Sequence, residues 1–436
     1  MTSGRPSLDG ARVVVVCNEQ PGVRMAGPAI RAINMARQLA AAGARVVVTA
    51  PDPVDTDLGV EVRPIGKPSL AAFRRLGDAA DVVVTQPQRV DVALGLHSGK
   101  ARVIYDCYVP AFVEYPASLA ADRLPPRTRA KLVERNQREY ATAIQCGDAF
   151  LVASSRQKDF LWGALGQTGR LQQPTVAHAE AWPRVAVVPF GLPDVPPRPA
   201  TAHPIKGSLV PSDSIVALWA GGVWNWFDPV TVIRGLRQAR LRDPRLRLVF
   251  LGVGHPSSNF RGQAAATEAL SSPEVRDAIA EGSVVFADEW VPYEERGAYL
   301  SDADLAVCAH FDSPETRMSF RTRFLDHLWA GLPTISTAGG VLTDDMVAAG
   351  AAVSVAPGSA DEWSAALLAL AADPAQRVRM ADAARELGRM MTWSQVSRPL
   401  TQLVGQVLAG DAGPRVRPSL AATAGYLAVA VENRLR

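Results

Sequence analysis

Val13-Val14-Val15-Val16-Cys17, a helical pattern that opens at Pro28 and closes at Gly43, then Arg45-Val46-Val47-Val48-Thr49: this stretch decides the fold. Two short valine runs flank one amphipathic helix. Pro28 suits a first helical turn, where its missing N–H has no partner to lose. Ile30, Ile33, Ala36 and Ala40 share one helical face, and Arg31, Asn34, Arg37 and Gln38 share the other. Gly43 supplies the stop. Runs that are apolar throughout, with no alternation, belong to strands covered on both faces. A helix between two such strands therefore points to a parallel α/β architecture.

The same alternation extends outward. Further candidate strands in the first half are Asp81–Thr85, Arg102–Asp106, Ala149–Ala153 and Arg184–Pro189. Prolines at 193, 196, 197, 199, 204 and 211 then mark a linker. A second series follows: Ile215–Ala220, Leu246–Gly252, Val284–Ala287, Leu305–Ala309, Thr334–Thr337 and Ala352–Val355. The expected organisation is a first Rossmann-like domain over 1–195, a linker over 196–212, and a second Rossmann-like domain over 213–395. C-terminal helices over 396–436 follow, the last of them over Pro418 to Arg436, and are expected to return to the first domain. No internal sequence repeat supports the duplication, which is one of architecture only.

Composition narrows the class. The chain has 436 residues, too many for one ordinary core. Apolar residues make up 48% and charged residues 20%, and the formal net charge is +3. That near balance argues against a dedicated nucleic-acid binder. Cys17, Cys107, Cys146 and Cys308 form no CxxC pair and read as buried thiols of a reducing compartment. The six histidines lack metal-ligand spacing. No apolar run spans a bilayer and Met1 to Gly10 lacks a signal-peptide core, so a cytoplasmic location is expected. The basic stretch Arg123 to Arg138 reads as a solvated helix face, with contact to anionic lipid as the alternative.

In open parallel sheets, ligands bind beyond the carboxyl ends of the strands, so the residues just after each strand are the ones to search. After the first strand, Glu19 to Pro28 forms a glycine-containing loop that opens a helix. Its free backbone N–H groups suit phosphate or hydroxyl oxygens, with Arg24 and Gly27 as candidate contacts; a plain strand-to-helix turn is the other reading. Strand Val103-Ile104-Tyr105 ends in Asp106, followed by Cys107 and Tyr108. Asp106 is expected either to orient an acceptor with Tyr108 and stabilise positive charge on a reacting sugar, or to cap a turn. In Ser319-Phe320-Arg321-Thr322-Arg323-Phe324-Leu325-Asp326-His327-Leu328-Trp329-Ala330-Gly331-Leu332-Pro333, Arg321 and Arg323 fall near a helix N-terminus. The macrodipole there favours an anion, and guanidinium forks add to it. Asp326 is placed to accept from a ribose diol.

That segment resembles the donor-binding helix of the family 4 glycosyltransferases, whose pattern is Glu-x7-Glu followed by a helix ending in Gly-x-Pro, here Gly331 and Pro333. The resemblance runs along nearly the whole chain. Gly27-Pro28 is similar to the family's opening loop, and Val187-Val188-Pro189-Phe190-Gly191 to the strand that ends its first domain. Asp288 to Asp304 is similar to its base-binding loop and next helix. The likeness implies a retaining GT-B glycosyltransferase in a divergent, actinobacterial-type form, with two sheets facing a central cleft and a C-terminal crossover. It implies that the backbone at Trp290 and Val291 meets the nucleobase. Counting back from Gly331, the paired glutamates fall on Asp326 and Met318, so the first carboxylate is absent and Glu315 stands out of register. The loop Gly221-Gly222-Val223-Trp224-Asn225-Trp226-Phe227-Asp228 lacks the arginine and lysine usual there. Arg321 and Arg323 are expected to replace them, with Arg317 in reserve. Trp224 and Trp226 either stack on a sugar or base or pack an interface.

The expected activity is transfer of a sugar from a nucleotide diphosphosugar to a small-molecule or glycan acceptor, in natural-product or surface-polysaccharide assembly. No cofactor is expected: the nucleotide sugar is a co-substrate. No metal is expected either, and Asp302-Ala303-Asp304 reads as boundary charge before a strand, not as a metal-binding DxD. The rival readings are a nucleotide-sugar 2-epimerase and a non-catalytic nucleotide-sugar-binding homologue.

Overall fold

The computed structural model describes residues 8–22, 25–119, 124–171, 184–197, 203–252, 264–287, 291 and 295–411. The chain divides into two compact units: unit 1 takes 1–112, 130–189 and 393–436, and unit 2 takes 113–129 and 190–392.

The elements of the first half, in chain order, are β1 (Arg12–Val16), α1 (Gly27–Ala41), β2 (Arg45–Ala50), β3 (Glu61–Pro64), α2 (Leu70–Ala79), β4 (Val82–Thr85), α3 (Val90–Ser98), β5 (Arg102–Asp106), α4 (Ala111–Leu119), α5 (Pro126–Cys146), β6 (Ala149–Val152), α6 (Ser155–Gln167) and β7 (Arg184–Val187). Among the described residues the strands form one seven-stranded sheet, ordered β3-β2-β1-β4-β5-β6-β7 and parallel throughout. Val14 sits between Val47 of β2 and Val83 of β4, which explains why the valine runs do not alternate. One face packs on Ile33, Ala36 and Leu39 of α1, and the other on Phe73, Leu96, Tyr140 and Leu161.

Unit 2 repeats the plan with β8 (Ile215–Ala220), α7 (Pro229–Arg240), β9 (Leu246–Leu251), α8 (Ala264–Leu270), α9 (Pro273–Ala280), β10 (Val284–Ala287), α10 (Arg296–Ser301), β11 (Leu305–Cys308), α11 (Pro314–Met318), α12 (Arg323–Ala330), β12 (Thr334–Thr337), α13 (Val341–Ala348), β13 (Ala352–Val355), α14 (Ala360–Ala372) and α15 (Pro374–Met390). Its parallel order is β10-β9-β8-β11-β12-β13. Both sheets are thus parallel and doubly wound. Gly331 ends α12 in the left-handed conformation, φ +67°, where its N–H reaches back to the Leu328 carbonyl.

The chain then returns. α16 (Trp393–Val396) and α17 (Arg398–Leu408) belong to unit 1, and Leu400, Leu403, Val404 and Val407 are buried in its core. The expected helix over 418–436 lies outside the described residues. Within 196–212, Ile205 and Val210 are buried in the core of unit 2. Both Asp302 oxygens are used there: Oδ2 accepts from the Ile205 and Lys206 N–H groups and Oδ1 meets His203 at 2.7 Å. Asp304 accepts from Val216 N–H and pairs with Lys206. These two carboxylates tie the start of unit 2 together. No helix among the described residues is long and apolar enough to cross a membrane.

Candidate functional site

Both sheets reverse strand order once, between β1 and β4 and between β8 and β11. At such a switch point the loops that leave the two central strands diverge and open a crevice at their carboxyl ends.

In unit 2 the crevice is built by two loops that run against each other. The loop after β8 forms an antiparallel bridge, Phe227 to His310, with the loop after β11. Phe311 N–H donates to the Trp226 carbonyl and Asp228 N–H to the Ala309 carbonyl. Gly221 is left-handed at φ +110°. At Gly222 a side chain is impossible without moving Trp224, whose ring a Cβ would meet at 2.2 Å. The glycines therefore give Trp224 its place over the turn.

Two arginines converge there. Arg323, the first residue of α12, donates from Nη2 to the Gly222 carbonyl at 2.6 Å, and its guanidinium lies 4.0 Å from the Phe227 ring centre. Its Nη1 is enclosed without a partner, and it has no ion-pair partner among the described residues. Burial, with the nearby Arg321 charge, lowers its pKa to about 10. Arg321 sits against Phe227 and Trp226, 5.1 and 6.0 Å to the ring centres. Sequence spacing placed it free at the helix N-terminus. It is instead only 7% exposed and forked onto Glu315, at 2.7 Å through Nη1 and 2.5 Å through Nη2, with its Nε unpartnered. Ser319 Oγ donates to the same carboxylate at 2.6 Å. Glu315, set aside in sequence as out of register, is thus the group that fixes Arg321.

The remaining donor-side candidates disperse. Thr322 is the exposed N-cap position of α12 and makes no side-chain cap bond. Asp326 is paired with Arg296 at 2.9 Å, and that guanidinium stacks 4.6 Å over Trp329. Val291 packs at the edge of the unit 2 core, and Trp290 lies outside the described residues. Glu114 was not foreseen. It stands on α4, in the segment that belongs to unit 2, and Ser118 of the same helix accepts from Asn225 Nδ2 at 3.0 Å. Burial, and after it the negative charge of Glu315, raises the Glu114 carboxyl to about 7, against the opposing pull of Arg321.

In unit 1 the switch point carries a small pocket of about 10 Å³, room for one water molecule, lined by Cys17, Asn18, Pro28, Thr85, Gln86 and Asp106 among others. Asp106 was expected to face an acceptor. It is 3% exposed, and both its oxygens are held by Arg31, Nε at 2.6 Å and Nη2 at 2.8 Å. The same guanidinium donates to the Val188 and Pro189 carbonyls and stacks 4.7 Å from the Tyr108 ring centre. Arg31, set by helical spacing on the face opposite Ile30 and Ile33, is fully buried, because it stands where α1 passes the carboxyl ends of β5 and β7. Asp106 consequently serves to neutralise Arg31. Gln86 Nε2 reaches the Tyr108 hydroxyl at 3.4 Å. Gly27 opens α1 half-buried, and Arg24 lies outside the described residues.

No protein-family model matches this chain, and no curated protein matches it. Solved structures do match. Sucrose-phosphate synthase from Thermosynechococcus elongatus aligns at 16% identity and TM-score 0.65 over 92% of this chain and 100% of that one. WaaG, a glycosyltransferase involved in lipopolysaccharide biosynthesis, aligns at 15% identity and TM-score 0.61 over 91% of this chain and 100% of that one. Anabaena HepE in complex with UDP-glucose aligns at 13% identity and TM-score 0.59, over 92% and 100%. The fold is that of the GT-B glycosyltransferases.

Proposed function

We propose that this chain is a glycosyltransferase whose unit 2 holds a nucleotide diphosphosugar. The observation that carries the reading is Arg323: an enclosed guanidinium nitrogen with no partner, on a residue with no carboxylate at ion-pair distance among the described residues, at the switch point of a doubly wound sheet. A charge removed from water needs an opposite charge near it, and a diphosphate supplies one. Arg321 is held in place by Glu315, which takes both Nη atoms and leaves Nε without a partner. Through Arg323 Nη1 and Arg321 Nε, the two arginines are suited to stabilise negative charge as it builds on the leaving diphosphate. Asp326, with Arg296, is assigned to the ribose, and Trp290 and Val291 to the base. Glu315 substitutes in this chain for the absent first glutamate of the family 4 pattern, through Arg321 and not by register.

Unit 1 is assigned the acceptor, with Arg24, Gly27 and Tyr108 as its candidate contacts. The resemblance to family 4 enzymes supports retention at the anomeric carbon. The neighbours crystallised with UDP and UDP-glucose support a sugar-nucleotide donor. The test is thermal shift with UDP, GDP, ADP and dTDP on the native chain, on Arg323→Ala and on Asp326→Ala. A ligand that binds only the folded state raises its melting point. One nucleotide should shift the native chain, and both variants should lose that shift. Absence of any shift, with any nucleotide or its sugar conjugate, would overturn the donor-site assignment. Recovery of an epimerised sugar nucleotide would replace transfer by isomerisation.

A further inference from the structure

His310 is the second residue past β11, at the switch point of unit 2, and is 1% exposed. Its backbone is fixed on both sides: it bridges to Phe227, and its N–H donates to Thr337 Oγ1 at 3.2 Å. Its ring meets no polar group of another residue at hydrogen-bonding geometry, and its own backbone is the one polar group that acts on it directly. The other histidines among the described residues differ. His97 meets the Tyr105 hydroxyl at 3.2 Å, His203 meets Asp302 at 2.7 Å, and His327 meets Thr334 Oγ1 at 3.2 Å. A buried imidazole kept for packing alone would be expected to satisfy at least one nitrogen, as the equally buried His327 does.

The space beside the ring is defined by Gly340, the N-cap of the eight-residue α13, which has no side-chain cap. A Cβ added at Gly340 would lie 3.6 Å from His310 Nε2 and 3.1 Å from Thr343 Oγ1. The glycine therefore leaves the imidazole and the uncapped amides of α13 adjacent to one another. Gly339, left-handed at φ +99°, turns the chain into that position. The chemistry of the ring sets the ligand. Burial, then the charges of Arg321 and Arg323, lowers its pKa to about 3, so the imidazole is neutral. A neutral imidazole offers one N–H and one lone pair. A phosphate oxygen only accepts, whereas a hydroxyl both donates and accepts.

We infer that His310 reads a hydroxyl of the sugar carried by the donor, together with the first amides of α13, and so sets which sugar this site accepts. The inference rests on the donor assignment above and extends it from the diphosphate to the hexose. His310 acts in binding, beside the two arginines that face the charge.

The test compares each nucleoside diphosphate with its sugar conjugate by calorimetry: UDP with UDP-glucose, GDP with GDP-mannose, ADP with ADP-glucose, dTDP with dTDP-glucose. His310→Phe puts a slightly larger aromatic ring in its place and removes both nitrogens. Gly340→Ala keeps His310 and sets a methyl group beside it; its φ of −80° accepts alanine, and Thr343 Oγ1 must give by a few tenths of an ångström. In both variants affinity for the preferred sugar nucleotide should fall about tenfold or more, the size expected when a buried hydrogen bond is lost. Affinity for the bare nucleotide should stay within about twofold of the native value, below what one such bond is worth. Circular dichroism and melting point confirm the fold, and Gly340→Ala carries the test if His310→Phe does not fold. Retained sugar-nucleotide affinity overturns the inference, and so does an equal loss of bare-nucleotide affinity. A native chain that binds no nucleotide in either form refutes the donor assignment itself, which is a different result.

Discussion

Arg31 and Asp106 make the strongest test of a single contact. Both side chains are almost wholly buried, 1% and 3% exposed, and the pair has two charge-assisted hydrogen bonds. Removing one partner strands a charge away from water, which costs about 3–5 kcal/mol, while exchanging both for apolar groups is often neutral. Asp106→Asn and Arg31→Met should each lower unfolding free energy by about that amount. Arg31→Met with Asp106→Leu should recover much of it, and urea titration measures all three. A loss of activity with unchanged stability in Asp106→Asn would instead return that carboxylate to a direct role. Helical spacing did not disclose the burial of Arg31, because period alone does not say which residues a neighbouring strand end will cover. His310 carried a usable signal, since it stands just past a strand's carboxyl end. Glu315 carried none, because a turn brings it to a residue six positions on.

At the scale of the element, α4 is held to the glycine loop by Ser118 and Asn225, and it brings Glu114 beside the Glu315–Arg321 pair. The carboxyl has an ordinary pKa when unfolded and about 7 when folded. The folded state therefore binds this proton more tightly. Its contribution is full below the unfolded value and is lost as pH rises through about 7. Glu114→Gln should flatten the fall in melting temperature between pH 5 and 8, about the window those values bracket, and should leave the variant more stable than the native chain at the alkaline end. Unaltered pH dependence would mean the carboxyl is ordinary. Elements differed in how readily the sequence disclosed them. The valine strands, the Pro28 start and the Gly331 stop were all legible, because burial on both faces and fixed φ values leave few alternatives. β3, Glu61-Val62-Arg63-Pro64, was not foreseen. It lies at the sheet edge, where a proline and two charges are tolerated, so its composition resembles a loop.

Across the whole molecule, the doubly wound plan was legible in the repeated strand–helix alternation, and it needs no sequence repeat to appear twice. The membership of each unit was not, because contact and chain order diverge. Unit 2 takes 113–129 from the first half and unit 1 takes back 393–411 among the described residues. A fragment cut at residue 195, where the prolines suggested a boundary, lacks the four buried aliphatic side chains of α17. Such a fragment should melt non-cooperatively or aggregate, and supplying 390–436 in trans or by fusion should restore a cooperative transition. A sharp melt from 1–195 alone would show that α17 is dispensable.

That return of α17 also sets an order in time. During synthesis the N-terminal domain usually folds first. Here every residue of unit 2 has been made by position 392, whereas unit 1 waits for Leu400, Leu403, Val404 and Val407. Of the two units, the one that starts to be made first is thus the one completed last. Until Val407 has been made, its valine strands depend on something other than their own final core to stay out of trouble.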